Sequence, residues 1–507
     1  MSITSMEFFG FILLAAVLYY IIPLRFRWVS LLVCSVVYLC TANDIRLLLV
    51  MFIAVVVAYL AGIFLEKKKS RIVLGVSLLC IAGSLLYLKE INFFLGIVRM
   101  TGVMFGQTWT IPDLQLIAPL GISYYTLNLV SYVLDVYWGV ATAQKNFFKF
   151  ILFAGYFPAM VSGPIIRYRE IEEQLYAGHK ITYQNISFGI QRILWGVLKK
   201  LVISERLAII VNTIYGDYNT YTGLYIFVAI VCFVFQLYTD FSGCIDIVLG
   251  VSELFGIILP ENFQTPFFSR SASEFWRRWH ITLGAWLKDY ILYPILKTTL
   301  WQKIGQKFKA RFGKKAAKKI PVWLGLFCSW FLIGMWHGGS WNYIFGVGLL
   351  WWILIVLGEA CEPIFRWSIN KLKINTECFS WRLFQSMRTF GCFAFGLSFF
   401  RSYGGLMEGV KLWKSAFSTF NPWILFDGSL YNLGLDEKNF RVMLIALVVL
   451  GISGIMREQI KRPIREWLAE QNIVFRWGIL LLLVFSIAVF GMYGPGYNAQ
   501  AFIYEQF

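Results

Sequence analysis

Runs of about 20 apolar residues, the length a helix needs to cross a hydrocarbon core, recur from the first residues of this chain to the last. Such runs cannot all be hidden in one soluble core. The chain has to be an all-α polytopic membrane protein, because a helix satisfies its own backbone polar groups in lipid. Composition agrees, with 58% hydrophobic against 15% charged residues over 507 positions leaving too little polar surface for a soluble protein of this size. We count ten to fourteen membrane segments in one integral-membrane domain over residues 1–507, organised as N-terminal spans (1–115), a central core (116–360) and C-terminal spans (361–507). The first run, residues 8–24, has no basic leader and no small-residue cleavage site, so the expectation is a retained span. No internal repeat is visible.

The net charge of +18 would suit a nucleic-acid partner if it formed one stripe. Instead, the basic residues cluster in short segments between apolar runs, which the positive-inside rule explains, and no nucleic acid is expected. Arg25 and Arg27 follow the first span, and Lys67, Lys68, Lys69 and Arg71 follow the third. Alternation puts both clusters on one side, the cytoplasm, and the N-terminus outside. Residues 301–320 carry eight basic residues and no acidic one, a cytoplasmic segment that anionic membrane lipids would hold. Arg457, Lys461, Arg462 and Arg465 mark a further inner loop, so the last span exits and the C-terminus lies outside. Nine cysteines without CxxC spacing read as small core residues.

Five stretches break the apolar pattern. PLGISYYTLNLVSYVLDVYWG (119–139) places Asp135 in an apolar run, and GYFPAMVSGPIIRYREI (155–171) is interrupted at Pro158 and Pro164. Backbone so interrupted has to be re-entrant or buried in protein. TDFSGCID carries Asp240, Ser242 and Asp246, polar groups that either face a water-filled path or pair with basic neighbours at helix ends. SASEFWRRWHITLGAWLKDYILYP (271–294), read as one helix, aligns Trp276, Trp279, Leu283, Trp286 and Tyr290 on one face. Arg277, Arg278 and Lys288 lie away from that stripe and His280 on its edge, the pattern of an interfacial helix. GMWHGGSWN, finally, puts His337 near an apolar helix end beside Trp336, with Gly338 and Gly339 allowing close approach of a ligand.

The chain has three histidines, and two fall in these last two stretches. The third, His179, lies in a polar loop and reads as an ordinary surface residue. An imidazole shielded from water stays neutral near pH 7 and can take a proton from a hydroxyl, which suits His337 as a general base. If the donor is an acyl thioester, already activated, the remaining task is to hold both partners and stabilise the developing oxyanion. His280, a Trp N–H or Asn342 could do that. Trp336, Asn342, Trp279, Arg277, Arg278, Asp240 and Ser242 are candidates to line the substrate path. No GxSxG, HExxH or GxxxxGK[ST] motif is present, and neither a bound cofactor nor a metal site is expected. Two readings stay open beside acyl transfer: a lipid or proton-coupled transporter using Asp135, Asp240, Asp246 and Glu253, and a scaffold for a secretion complex.

These stretches, together with PENFQTPFFSR before the Trp-rich segment and the terminal AFIYEQF, resemble the membrane-bound O-acyltransferase family. The likeness runs in order from about residue 116 to 507 and points to the bacterial alginate O-acetyltransferase branch, with FFRSYGGLMEG (399–409) similar to that branch's FFRA segment. The resemblance implies a helical bundle in which a cytoplasmic and an outer funnel nearly meet at the active site. His337, in MWHG, matches the family's catalytic histidine, and His280, in RRWH, the second histidine of the bacterial branch. It further implies a multi-pass protein of the bacterial cell membrane that draws acetyl groups from a cytoplasmic donor such as acetyl-CoA. The acceptor would be an extracytoplasmic polysaccharide, reached directly or through a lipase-like outer partner. Neighbouring branches move D-alanine to teichoic acid or acetylate peptidoglycan. The family's usual ending resembles FIYFQF, so Glu505 departs from it and weakens the expectation of a docked partner.

Overall fold

The computed structural model describes residues 2–42, 44–160 and 162–494. Among them, eight helices are long and apolar enough to cross a membrane, from Leu24–Thr41 to Ile473–Phe490. The other segments in the sequence count are shorter or more polar helices, such as Met6–Ile21 and Phe379–Phe400. The molecule is a helical, multi-pass membrane protein, and its only paired extended residues among those described form one isolated bridge. The chain groups into two compact units. Unit 1 is Met1–Val202, Thr239–Glu261 and Arg462–Phe507, and unit 2 is Ile203–Tyr238 and Asn262–Lys461.

Unit 1 shows how irregular, polar stretches survive in such a protein. The helix Ile122–Trp138 is buried along nearly its whole length, with Ser123, Thr126, Asn128, Ser131 and Asp135 inside. Asn128 Oδ1 accepts the backbone N–H of Ile166 at 3.0 Å, so the proline-interrupted segment is tied to a buried side chain rather than left facing lipid. Asp135 lies 3.6 Å from Arg169. Further on, the helix Tyr183–Val197 meets the second half of Leu224–Leu254 through glycine, where a Cβ on Gly196 would stand 2.5 Å from the Gly243 carbonyl oxygen. Small residues of this kind let membrane helices approach backbone to backbone. His179, read from sequence as an ordinary surface residue, is half-buried and ties its loop to the first helix: its backbone N–H donates to Tyr19 Oη at 3.0 Å and its carbonyl accepts from Arg27.

That close approach sets the buried charges of unit 1 against each other. Lys200 and Asp240, 2% and 1% exposed, pair at 2.6 Å. Lys199 pairs with Asp246 and donates to Ser242 Oγ at 2.9 Å. Arg192 reaches Asp246 at 3.0 Å and grips both oxygens of Glu261 at 2.7 and 2.6 Å. Arg465 pairs with Glu253. Asp240 and Ser242, read from sequence as lining a substrate path, are thus members of an ion-pair network in this unit.

In unit 2 the long helix Thr299–Trp336 contains the basic stretch of residues 301–320 and bends at Gly313 (φ 81°). Its last turns pack on the return segment Trp341–Ala360, which packs in turn on the helix Phe379–Phe400. The packing is tight enough that a Cβ on Gly396 would stand 2.5 Å from the Gly346 carbonyl oxygen. Gly396→Val should therefore cost about 1–3 kcal/mol, the usual penalty of overpacking. A lowered midpoint in a detergent thermal melt followed by size-exclusion fluorescence checks it; an unchanged midpoint would mean that these helices separate freely.

The segment 271–294 corrects a sequence expectation. It is not one interfacial helix. Helix Ala272–Arg278 stops, Trp279 is extended, His280 takes a left-handed conformation (φ 46°, ψ 51°), and a second helix starts at Ile281–Leu287. Trp279, Leu283, Trp286 and Tyr290 are all buried in protein instead of lying in a lipid interface.

Candidate active site

The bend at His280 is held from 18 residues upstream. Residues 262–264 run antiparallel to 278–281: Phe263 bridges Trp279, the Gln264 N–H donates to the Arg278 carbonyl at 2.9 Å, and the Ile281 N–H donates to the Asn262 carbonyl at 3.1 Å. Aromatic packing seats this turn, with Trp279 edge-on to Phe263 at 5.0 Å and stacked on Phe275 at 5.6 Å. Arg278 anchors the preceding helix by pairing with Glu274 at 2.9 Å and with Glu458, whereas Arg277 is exposed. Of the two arginines proposed from sequence, Arg278 is consumed by structure.

His337 closes the helix Thr299–Trp336, its N–H reaching the Ile333 carbonyl at 3.2 Å. The chain then turns through Gly338 (φ 131°) and Gly339 (φ 53°), conformations that side chains rarely adopt. The imidazole is 3% exposed. It stands edge-on to Trp336 at 5.0 Å between ring centroids and to Phe400 at 5.8 Å. The same indole of Trp336 lies 5.8 Å from the ring of His280, which is 2% exposed. One tryptophan thus touches both imidazoles.

The electrostatics of His280 follow from this setting. It lies outside the eight spanning helices. Burial first, and the neighbouring His337 second, hold its imidazole well below the ordinary histidine range, so it is neutral at pH 7. Asn342, also proposed from sequence, is buried near this turn. Its amide donates to the carbonyls of Phe399 at 3.4 Å and Ser402 at 3.1 Å, and its oxygen accepts from Ser340 Oγ. Those bonds make it a brace between the turn after His337 and the end of helix Phe379–Phe400. Trp279 belongs to the packed turn beneath His280, and Asp240 and Ser242 belong to unit 1. Of the proposed candidates, the structure brings together His280, His337 and Trp336. Sequence reading missed Asn262 and Phe400, since neither carries a charge or a periodic pattern; only the amide inside the quoted PENF stretch hinted at the first. Among the described residues, no three His, Cys, Asp or Glu side chains converge as metal ligands.

This aromatic-walled pair of histidines falls inside residues 140–398, the stretch matched by the model of the membrane-bound O-acyltransferase family. The chain is 30% identical to a probable alginate O-acetylase of Pseudomonas aeruginosa over 400 residues, covering 74% of this chain and 72% of that protein. It is 28% identical to a peptidoglycan O-acetyltransferase of Helicobacter pylori, covering 58% of this chain and 56% of that protein. A teichoic acid D-alanyltransferase of Bacillus subtilis is 30% identical, covering 58% of this chain and 76% of that protein. A family match over half of the chain, a relative matched across most of its length, and a helical membrane architecture with a buried histidine at the predicted turn lead to one conclusion: this chain belongs to the membrane-bound O-acyltransferase family and is a multi-pass membrane acyltransferase.

Proposed function

We propose that the protein moves an acetyl group from a cytoplasmic acyl thioester, acetyl-CoA, to a hydroxyl of a polysaccharide outside the bacterial plasma membrane. The observation that carries the reading is the convergence of two of the chain's three histidines, both almost fully buried, on one tryptophan. His337 takes the proton of the acceptor hydroxyl as the oxygen attacks the thioester carbonyl. The C–S bond then breaks, and the thiolate leaves with the proton that His337 has gained. Shielding from water strengthens every electrostatic interaction in this step and limits loss of the acyl group by hydrolysis. Basic segments read as cytoplasmic suit an anionic donor, and the proposed orientation has both chain ends outside. The terminal AFIYEQF, proposed to meet an outer lipase-like partner, lies outside the described residues.

A transporter would rest on Asp135, Asp240, Asp246 and Glu253. Each of these stands in an ion pair, with Arg169, Lys200, Lys199 together with Arg192, and Arg465 respectively. The relatives that acylate teichoic acid and peptidoglycan favour a second reading within the family, in which the acyl group is D-alanine or the acceptor is the cell wall. The test compares surface polymers from cells with and without the protein after mild base. Acetate that depends on the protein and comes from the polysaccharide fraction supports the proposal; D-alanine, or acetate from the cell-wall fraction, moves it to the second reading; no difference in released acids rejects both.

A further inference from the structure

Asn262 is fully buried, and its side-chain oxygen gathers three hydrogen bonds. The Thr282 backbone N–H donates to Oδ1 at 3.1 Å, Thr282 Oγ1 at 3.0 Å, and His280 Nδ1 lies 3.2 Å away. The backbone N–H settles which end of the amide faces this cluster, because only the oxygen can accept from it. An oxygen cannot donate, so the proton of the contact with His280 sits on Nδ1. The amide nitrogen, by contrast, finds no hydrogen-bond acceptor among the described residues, which leaves the side chain held through its oxygen. The same residue fixes the backbone on which the imidazole rides. Its carbonyl accepts from Ile281, so Asn262 binds the backbone N–H groups of the two residues that follow a histidine in a left-handed conformation, one that costs energy for any residue with a Cβ.

We propose that Asn262 is a positioning residue that locks neutral His280 as the Nδ1–H tautomer and aims Nε2, with its lone pair, away from the clamp. In this form His280 accepts a hydrogen bond or a proton. It does not donate to an oxyanion, so the oxyanion role considered for it from sequence passes to other groups. The inference rests on the reading of His280 and His337 as the working pair of the transfer.

The test uses the full-length protein in lipid vesicles with 15N-labelled histidine, where three imidazoles give a tractable spectrum and His280→Gln identifies the signals of the second. In the wild type, Nδ1 of His280 should be protonated and Nε2 bare. Asn262→Asp keeps an accepting oxygen and should keep that tautomer, while Asn262→Leu should lose it. In cells at matched membrane abundance, Asn262→Leu should lower base-released acetate by about 10- to 100-fold, the range seen when the partner orienting a functional histidine is removed. Asn262→Asp should recover most of it. In a His280→Ala background, Asn262→Leu should cause little further loss, because both changes act through one group. Protonation at Nε2 in the wild type, or a tautomer indifferent to Asn262→Leu, overturns the inference. So does normal acetate release from Asn262→Leu when His280→Ala is defective. If His280→Ala is itself silent, it is the functional reading of His280 that fails, whatever the tautomer.

Discussion

His337→Ala removes base-labile acetate from the surface polymer while the protein reaches the membrane in normal amount. The expected fall is about 10²- to 10⁴-fold, the contribution of a positioned general base. The acceptor hydroxyl is a poor nucleophile until its proton leaves, and His337 is the group placed to take it. A cavity is a foreseeable complication, since the imidazole is wedged between Trp336 and Phe400. His337→Gln keeps most of the volume and a hydrogen-bonding end while removing the basic nitrogen, so it should be as inactive as the alanine variant and more stable to heat. Were the glutamine variant to release wild-type acetate, the ring would be structural and the base would have to be sought elsewhere. Were both variants scarce in the membrane, purified protein in vesicles, assayed per folded molecule, gives the same decision.

The membrane architecture could be read from the sequence because its signal is local. An apolar run reports its own environment, and the basic residues between runs report theirs. The place of His337 at a helix end could be read for a related reason, since it closes such a run beside glycines. The stretch around His280 resisted, since the 3.6-residue period of its aromatics describes a continuous helix, and nothing within residues 271–294 announces a break. What breaks it is Asn262, through bonds that close a loop of 18 residues and place a histidine in a left-handed turn. The buried charges resisted differently. Asp240 and Ser242 stood out as polar groups in an apolar run, but whether such groups line a path or pair with cations depends on which helix lies opposite. Gly196 packs against Gly243 and brings Lys199 and Lys200 across to meet them.

That packing yields the second large effect. Lys200→Met leaves the Asp240 carboxylate buried without its cation, and removing one member of a buried pair typically costs about 3–5 kcal/mol. The single variant should therefore reach the membrane poorly and melt early in detergent. Asp240→Leu should fare as badly, because it strands the ammonium of Lys200, which is 2% exposed. Combining the two changes removes both charges and replaces them with apolar groups, so much of the stability should return; the interaction measured by the double-mutant cycle should be of the order of the single losses. Acetate release then separates the two meanings of the pair. If the double variant is stable and active, Lys200 and Asp240 serve folding alone. If it is stable and inactive, the charges act in the transfer itself, and Asp240 returns to the substrate path that its position in the sequence first suggested.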